Sequence, residues 1–437
     1  MAPTPLTPAL SPQAGRGREA LDVAIVGGGL VGASLAIALG KTGKSVALIE
    51  AAAPPKSEPA WDERTIALNL ASRRIYTNLG LWPVLAPDTS PILATHISEA
   101  GRFGVARFTA QEAGEEALGW NIPVRALGAA LWTGVQTAKN VQLICPAKVE
   151  GIEVGAESVR LKLDPRVRGG DGVIEAKLVV AADGAQSVIR RELGIGTEER
   201  DYGQVAIVGA VRPTRAHKGV AYERFLPGGP VAILPRPDNR CVVVWTVASA
   251  SASRLLALDD AGFLAALQEA FGQRLGKFLE TGRRNGYPLT RVMSDALTSP
   301  RVMFAGNAAQ TLHPIAAQGF NLGLRDIATV AELVAVAADP GAPAVLAQYE
   351  RRRAGERARV SGFTDQLVRI FSNNLPGLRA ARHWGLLAMD LLPLVKNAVM
   401  RQNLGYAGDT PALARPLTPA PATMRRRPHA GRGRTAW

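Results

Sequence analysis

Near the start of the chain, Gly27-Gly28-Gly29-Leu30-Val31-Gly32 has G-x-G-x-x-G spacing and is followed by an acid, Glu50. Glycines so spaced suit a dinucleotide pyrophosphate: Gly27 permits a tight turn, Gly29 lets backbone approach the phosphates, and Gly32 lets a helix pack closely on a strand. The N-terminus of the helix that follows supplies free N–H groups and a positive dipole to the phosphates. Glu50 is placed to accept hydrogen bonds from a ribose.

The flanking sequence supplies the elements that must position these groups. Residues 21–26 are a short apolar run read as a strand, residues 33–41 a helical stretch ending at Gly43, and residues 45–49 a second strand closed by Glu50. Strand, glycine turn, helix, strand and acid form a βαβ unit, which serves NAD and FAD alike. Further on, a strand over residues 176–181 runs into Asp183-Gly184 and a helix carrying Arg190 and Arg191. A strand over 301–305 runs into Gly306-Asn307-Ala308-Ala309-Gln310-Thr311-Leu312-His313-Pro314, then Gln318-Gly319-Phe320-Asn321 and a helix to about residue 338. Alternating runs at 204–212, 231–234 and 241–247 predict a mainly antiparallel sheet, residues 126–137 predict a helix just after Arg125, and residues 363–400 are helical in pattern.

The glycine fingerprint, the Asp183-Gly184 pair and the block from Gly306 to Asp326 occur in the order and spacing of the single-component FAD-dependent aromatic hydroxylases, which the chain resembles over residues 21–408. Within them it resembles the ubiquinone-biosynthesis hydroxylases, on the branch acting on 2-polyprenyl-6-methoxyphenol. The segments that carry this are Gly306 to Pro314, Ala270 to Lys277 leading to Tyr287-Pro288-Leu289, and Arg401-Gln402-Asn403-Leu404-Gly405.

The resemblance implies an α/β fold: an FAD-binding, Rossmann-like domain interleaved with a mainly antiparallel substrate domain, plus a helical C-terminal region. The boundaries expected are 21–200 for the FAD-binding part, with a substrate-domain insertion around 82–120, then 201–290 for the substrate sheet. Residues 291–345 return to the flavin, 346–408 form the C-terminal helices, and 1–20 and 409–437 are disordered tails. FAD is the implied cofactor, NAD(P)H a transient electron donor without a domain of its own, and dioxygen a co-substrate. The chemistry implied is transfer of oxygen from a flavin C4a-hydroperoxide to an electron-rich phenol, giving the 1,4-benzoquinol.

The resemblance assigns Gly27, Gly29, Leu30, Val31, Gly32 and Glu50 to the ADP half of FAD, and Asp183 and Gly184 to the pyrophosphate region and NAD(P)H handling. Asn307 stands where most relatives have Asp against the ribityl chain; it keeps an acceptor oxygen and loses a charge. Arg64 and Arg125 match flavin-contacting positions, with an ordinary surface ion pair as the competing role for Arg64. The helix start at Gly319, Phe320 and Asn321 is expected to face the pyrimidine end of the flavin, with Pro314 stiffening the ring-edge segment. His313 either serves the flavin and the phenol or ties its own turn; oxygen transfer needs no protein nucleophile, so the tie is preferred. Ala317 replaces a usual Gly, and if its φ is positive it costs on the order of 1 kcal/mol and weakens flavin binding.

Composition bounds the partners. In 437 residues, two cysteines (Cys145, Cys241) make neither a disulfide framework nor a zinc site, and no metal is expected. No apolar run reaches the ~18 residues of a membrane span. The net charge of +14 suggests nucleic acid until it is located: residues 1–20 carry +1 and 409–437 carry +5, leaving +8 for the folded part. The tails hold 9 of 30 prolines and little apolar pattern, so both are expected to be disordered; the Arg/Gly run at 164–171 reads as a low-complexity addition interrupting a β-hairpin. No nucleic-acid module carries the charge. Expected partners are a polyprenylated phenol, a ubiquinone-biosynthesis complex and a peripheral membrane contact, in a cytoplasmic setting at the inner membrane. A sister hydroxylase acting at another ring position stays open, although Gln310 and Leu312 favour the first branch. A non-catalytic flavin-fold scaffold also stays open, because of Asn307 and Ala317.

Overall fold

The computed structural model describes residues 20–53, 64–101, 104–164, 172–371, 385 and 391–416. The expectations of disorder for residues 1–19 and 417–437, and of a low-complexity addition at 165–171, therefore fall outside the described residues.

The strand Leu21–Val26 takes up the first apolar run and lies between Val46–Ile49 and Val173–Ala181, parallel to both. Val141–Ile144 and Val302–Phe304 extend this parallel sheet on either side, and Val149–Val154 and Val159–Leu163 add an antiparallel flap. Both faces are covered, so the central strands read as unbroken apolar runs rather than alternating ones; Val23, Ala24, Ile25 and Leu48 have no exposed surface. The first helix is Leu30–Leu39, starting directly on the glycine turn, three residues before the apolar stretch from which it was predicted.

The second layer is a nine-stranded sheet, antiparallel except where Ala94–Glu99 runs parallel to Val220–Phe225. Thr197–Pro213 and Cys241–Ala248 are its long central pair. Its alternation is that of a sheet with two different faces. On the back, Ile207, Val211, Val231, Ile233, Val243, Trp245 and Val247 form a core with helices Ser249–Leu256 and Asp260–Phe271. The front faces the parallel-sheet body, and a three-stranded sheet (Thr65–Asn69, Ser90–Ile92, Gly119–Pro123) stands at one end of it. Asn121 Nδ2 donates to Pro235 O at 3.1 Å and joins the two.

The C-terminal part contains helices Pro343–Phe371 and Pro393–Leu404. The expectation that disorder begins at 409 is corrected for residues 409–416. Ala414 is fully buried, Asn78 Nδ2 donates to Leu413 O at 2.6 Å and Arg415 O at 3.1 Å, and Asp409 pairs with Arg352. A four-residue apolar patch, 411–414, is too short to register as a pattern but long enough to fill one gap in the core.

Candidate active site

Each fingerprint glycine occupies a distinct environment. Gly27 has φ +101°, and a Cβ there would lie 2.5 Å from Ala182 O; at Gly32 it would lie 1.9 Å from Gly27 O. These two positions exclude any side chain because backbone already fills the space. At Gly29 a Cβ would meet nothing within 4 Å, so the space above it is open to a ligand. Gly29 is also the N-cap of Leu30–Leu39 and gives no side-chain cap, which leaves the first N–H groups of that helix without a side-chain acceptor. Glu50 closes the loop from the next strand: Oε2 accepts from Gly28 N at 2.5 Å and Oε1 from Ala52 N at 2.9 Å.

Asp183 and Gly184 follow the strand Val173–Ala181, and the Cα of Asp183 would be 2.8 Å from a Gly27 Cβ. Asp183 Oδ2 accepts from Ile189 N at 3.2 Å, while buried Oδ1 has no partner. Arg190 bridges the neighbouring loops, donating to Ala185 O at 2.6 Å and Ala308 O at 2.8 Å. In the turn Gly306–Ala308, Asn307 is the one exposed residue of the otherwise buried stretch 301–310. Val31 packs against this turn, 3.0 Å from where a Gly306 Cβ would stand. The three motifs, far apart in sequence, thus surround one opening.

Behind the turn lies a buried ionic cluster that sequence reasoning missed. Asp326 Oδ2 accepts from Gly306 N at 3.2 Å and Gln310 Nε2 at 2.7 Å, and its Oδ1 accepts from Arg353 Nε at 2.8 Å. Arg353 and Arg325, both fully buried, share Glu356. Burial opposes the charge on Arg353, but Asp326 and Glu356 outweigh it and hold its pKa above the usual value. Tyr349 Oη donates to Phe304 O at 2.7 Å and fixes the strand that leads into the turn.

The segment 313–321 lies beside this opening. His313 is buried; its Nδ1 accepts from Ile315 N at 3.1 Å and its ring meets Tyr202 edge-on at 5.1 Å. With Nδ1 accepting, the proton of the neutral ring sits on Nε2, a buried atom without a partner. Burial lowers its pKa to about 4, so the ring is neutral near pH 7. Pro314 is exposed at the start of the turn Ile315–Ala317. Ala317 has φ +49° and ψ +39°, the left-handed conformation that its replacement of glycine made costly. Gly319 and Phe320, both half-buried, lie in the first turn of the helix Gln318–Val336.

Asn321, expected to contact the cofactor, directs its side chain elsewhere. Oδ1 accepts from Asn69 N at 3.0 Å and Ser72 Oγ at 2.7 Å; Nδ2 donates to Ala67 O at 2.9 Å and Ala317 O at 2.7 Å. The amide is saturated by protein, so it clamps the turn to the three-stranded sheet. Arg64 and Arg125, 61 positions apart in sequence, are brought together: Val124 N donates to Arg64 O at 3.0 Å, and Arg125 is in the first turn of helix Val124–Thr137. Both side chains are exposed. Gly128, one turn beyond Arg125, lies against Leu30, so this pair stands near the mouth of the glycine loop.

The front of the large sheet presents small and apolar residues opposite segment 313–321. Phe225 packs with Ile315, together with Ile97, Tyr202 and Leu367. Side chains alternate along a strand, so Glu223 shares the front face with Phe225. Burial raises its pKa to about 7. An acid within an alternating strand at 220–225 was its only trace in the sequence. No group of three or more metal-binding side chains occurs among the described residues.

Comparison with known proteins agrees with this geometry. The family model described as FAD binding domain matches residues 20–364. The ubiquinone hydroxylase UbiL of Rhodospirillum rubrum is 38% identical over 403 residues, covering 91% of this chain and 92% of that protein. The 3-demethoxyubiquinol 3-hydroxylase of Escherichia coli is 32% identical, covering 88% and 98%. Among solved structures, p-nitrophenol 4-monooxygenase PnpA from Pseudomonas putida superposes with a TM-score of 0.72 at 19% identity, covering 89% of this chain and 98% of that one, a likeness of fold.

Proposed function

Since the chain belongs to the FAD-binding-domain family and, within it, to the ubiquinone-biosynthesis hydroxylases, we propose that this FAD-dependent aromatic monooxygenase hydroxylates 2-polyprenyl-6-methoxyphenol to the 1,4-benzoquinol. NAD(P)H and dioxygen are consumed, and one oxygen atom enters the ring while the other leaves as water. The observation that carries the reading is the open dinucleotide loop at Gly29 beside an apolar sheet face that is opposed by segment 313–321.

The residues present fit FAD. Gly27 and Gly32 shape the loop, Gly29 admits the pyrophosphate, and the N–H groups of Leu30 and Val31 meet its charge. Glu50 retains lone pairs for a ribose hydroxyl beside the bonds it makes to the loop. Orphaned Asp183 Oδ1 and the Gly184 backbone serve the pyrophosphate side, exposed Asn307 serves the ribityl chain, and Arg64 and Arg125 cover the mouth. Bound FAD supplies reduction by NAD(P)H and activation of dioxygen. The start of Gln318–Val336, at Gly319 and Phe320, directs its N–H groups and dipole toward negative charge on the ring. His313 and Pro314 hold the ring-edge turn; His313, neutral, takes no part as a charged acid. The apolar front of the sheet receives the prenylated ring and excludes water.

The test is product analysis with purified protein, FAD, NADPH and dioxygen. 2-Polyprenyl-6-methoxyphenol should gain one oxygen para to its hydroxyl. The 32% identity to 3-demethoxyubiquinol 3-hydroxylase favours a second reading, in which demethoxyubiquinol is the substrate hydroxylated; oxidation of that compound alone replaces the first reading with the second.

A lipid-borne substrate also argues for contact with a membrane surface or a ubiquinone-biosynthesis complex. No helix among the described residues is long and apolar enough to cross a membrane. Leu391, Leu392 and Leu394, 70%, 52% and 87% exposed before and within helix Pro393–Leu404, support a peripheral contact. Replacing all three with Asp should abolish co-sedimentation with anionic vesicles.

A further inference from the structure

We infer that Glu223 is a catalytic carboxylate of the substrate cavity, which receives the phenolic hydroxyl of the substrate as a hydrogen-bond donor and accepts its proton as the ring is oxygenated. This rests on the reading of the chain as a phenol hydroxylase and adds a general base to it.

Position comes first. In the strand Val220–Phe225, Tyr222 faces the back of the sheet, where its ring meets Phe271 at 5.6 Å. Glu223 therefore faces front, two residues from Phe225, which touches Ile315 of the flavin-side segment. Its register partners are Ile97 on one neighbouring strand and Ala232 on the other. At the far end of the neighbouring strand Val231–Pro235, the backbone carbonyl of Pro235 is held by Asn121 of the three-stranded sheet. Glu223 thus stands in the middle of the face, between the flavin-side wall and the small sheet.

Chemistry comes second. Among the described residues the Glu223 carboxyl makes no hydrogen bond or ion pair, and burial alone raises its pKa, to about 7. The other titratable groups facing this space are Glu99, beside Phe225 on the neighbouring strand, and Tyr202 and His313 at the flavin-side wall. Tyr202 is held above the usual tyrosine value by burial and by Asp365, and His313 is neutral. A half-buried acid without a protein partner leaves its carboxyl open to whatever enters the space in front of the sheet and can supply a donor. A phenolic hydroxyl is such a donor.

The proton balance is simple. The substrate O–H bond breaks, the proton bonds to a Glu223 oxygen, and the electron pair stays on the phenolic oxygen, raising electron density at the ortho and para carbons. The proton returns to the phenolic oxygen as the oxygenated carbon loses its hydrogen as a proton and the ring regains aromaticity, so this proton transfer adds no oxidant or reductant to the NAD(P)H and dioxygen of the overall reaction. A phenol near pKa 10 lies above this carboxyl, so transfer proceeds only as the ring is attacked, which is general base catalysis contributing roughly 10²–10⁴-fold.

The experiment uses the FAD-loaded full chain with a short-chain 2-prenyl-6-methoxyphenol and its methyl ether. Wild-type kcat/KM should rise with pH through a midpoint of about 7. Glu223→Gln should lower kcat roughly 100-fold and remove that limb, with Glu223→Asp restoring part of both. Binding followed by flavin difference absorbance should show wild type preferring the phenol to the ether, and Glu223→Gln treating them alike. FAD content should be equal in all three proteins. Unchanged pH dependence and unchanged phenol preference in Glu223→Gln overturn the inference alone. Flavin-loaded wild type that oxidises no prenylated phenol overturns the functional reading and this inference with it.

Discussion

Replacing Ala317 with glycine should stabilise the protein. Ala317 is held in the left-handed region at φ +49° from both sides: its N–H donates to Pro314 O at 2.9 Å, and its carbonyl accepts from Asn321 Nδ2 at 2.7 Å. A left-handed alanine costs about 1–2 kcal/mol, and glycine returns about 0.4–1 kcal/mol of this through greater freedom in the unfolded chain. The net gain is about 0.5–1 kcal/mol, or about 0.5–1 °C in Tm for a chain of this size.

Where the gain is measured reports on the turn before flavin binds. If the two hydrogen bonds hold the turn left-handed in the cofactor-free protein, Ala317→Gly raises the Tm of the apoprotein and leaves the Kd for FAD unchanged. If the turn relaxes without flavin, the strain is taken on at binding, and the Kd tightens by up to about 5–30-fold for 1–2 kcal/mol. Asn321, saturated by four hydrogen bonds, argues for the first outcome. Thermal unfolding of apoprotein and flavin-fluorescence titration separate the two. Ala317→Val should be destabilised, because a β-branched residue tolerates positive φ least. A lower Tm together with a weaker FAD Kd in Ala317→Gly would refute the reasoning, since glycine then relieves nothing.

Three further outcomes follow from the same geometry. Gly29→Ala should leave apoprotein stability within about 0.5 kcal/mol of wild type and weaken FAD binding roughly tenfold or more, whereas Gly32→Ala, with its Cβ 1.9 Å from Gly27 O, should fail to accumulate folded protein; equal effects in the two would contradict their different surroundings. Asp326→Asn leaves Arg325 and Arg353 with Glu356 as their one buried carboxylate, and should cost about 3–5 kcal/mol in denaturant unfolding with loss of retained flavin. His313 and His96 are both lowered to about 4 by burial, His96 also by Arg274. The unfolded chain therefore binds protons first, and stability complete above pH ~6.5 should fall toward pH 4 by up to about 1.4 kcal/mol per unit for each ring; His96→Gln should flatten this slope in urea titrations.

Legibility in the sequence tracked how local the cause was. The βαβ unit could be read because its constraints lie within some 30 residues: the glycines are required by backbone at Gly27, Gly32 and Ala182, and the acid sits at the next strand's end. Ala317 was legible for the same reason, a residue type set against the φ its turn demands. The start of the first helix was placed late because Leu30 and Val31 belong to a glycine motif by sequence and to a helix by geometry. The side-chain clamp made by Asn321 was not legible because side-chain direction is a tertiary fact: its partners Asn69 and Ser72 lie some 250 residues away.

The same distinction explains why the ionic cluster behind Gly306 left no trace. Arg325, Asp326, Arg353 and Glu356 lie on two helices, Gln318–Val336 and Pro343–Phe371, whose charged residues read as solvated faces until packing turns them inward. Burying four such side chains costs desolvation on every one, and the return is geometric: one carboxylate fixes both Gly306 N and Gln310 Nε2. Apolar side chains of equal volume would pack as well but would leave those two donors unpaired. The cluster is thus explained by the turn it positions, and Asn307, exposed in that turn, is the residue whose placement depends on it. Asp326→Asn is therefore expected to release flavin at denaturant concentrations where Asn307→Ala, which removes a contact and leaves the turn intact, still retains the fold.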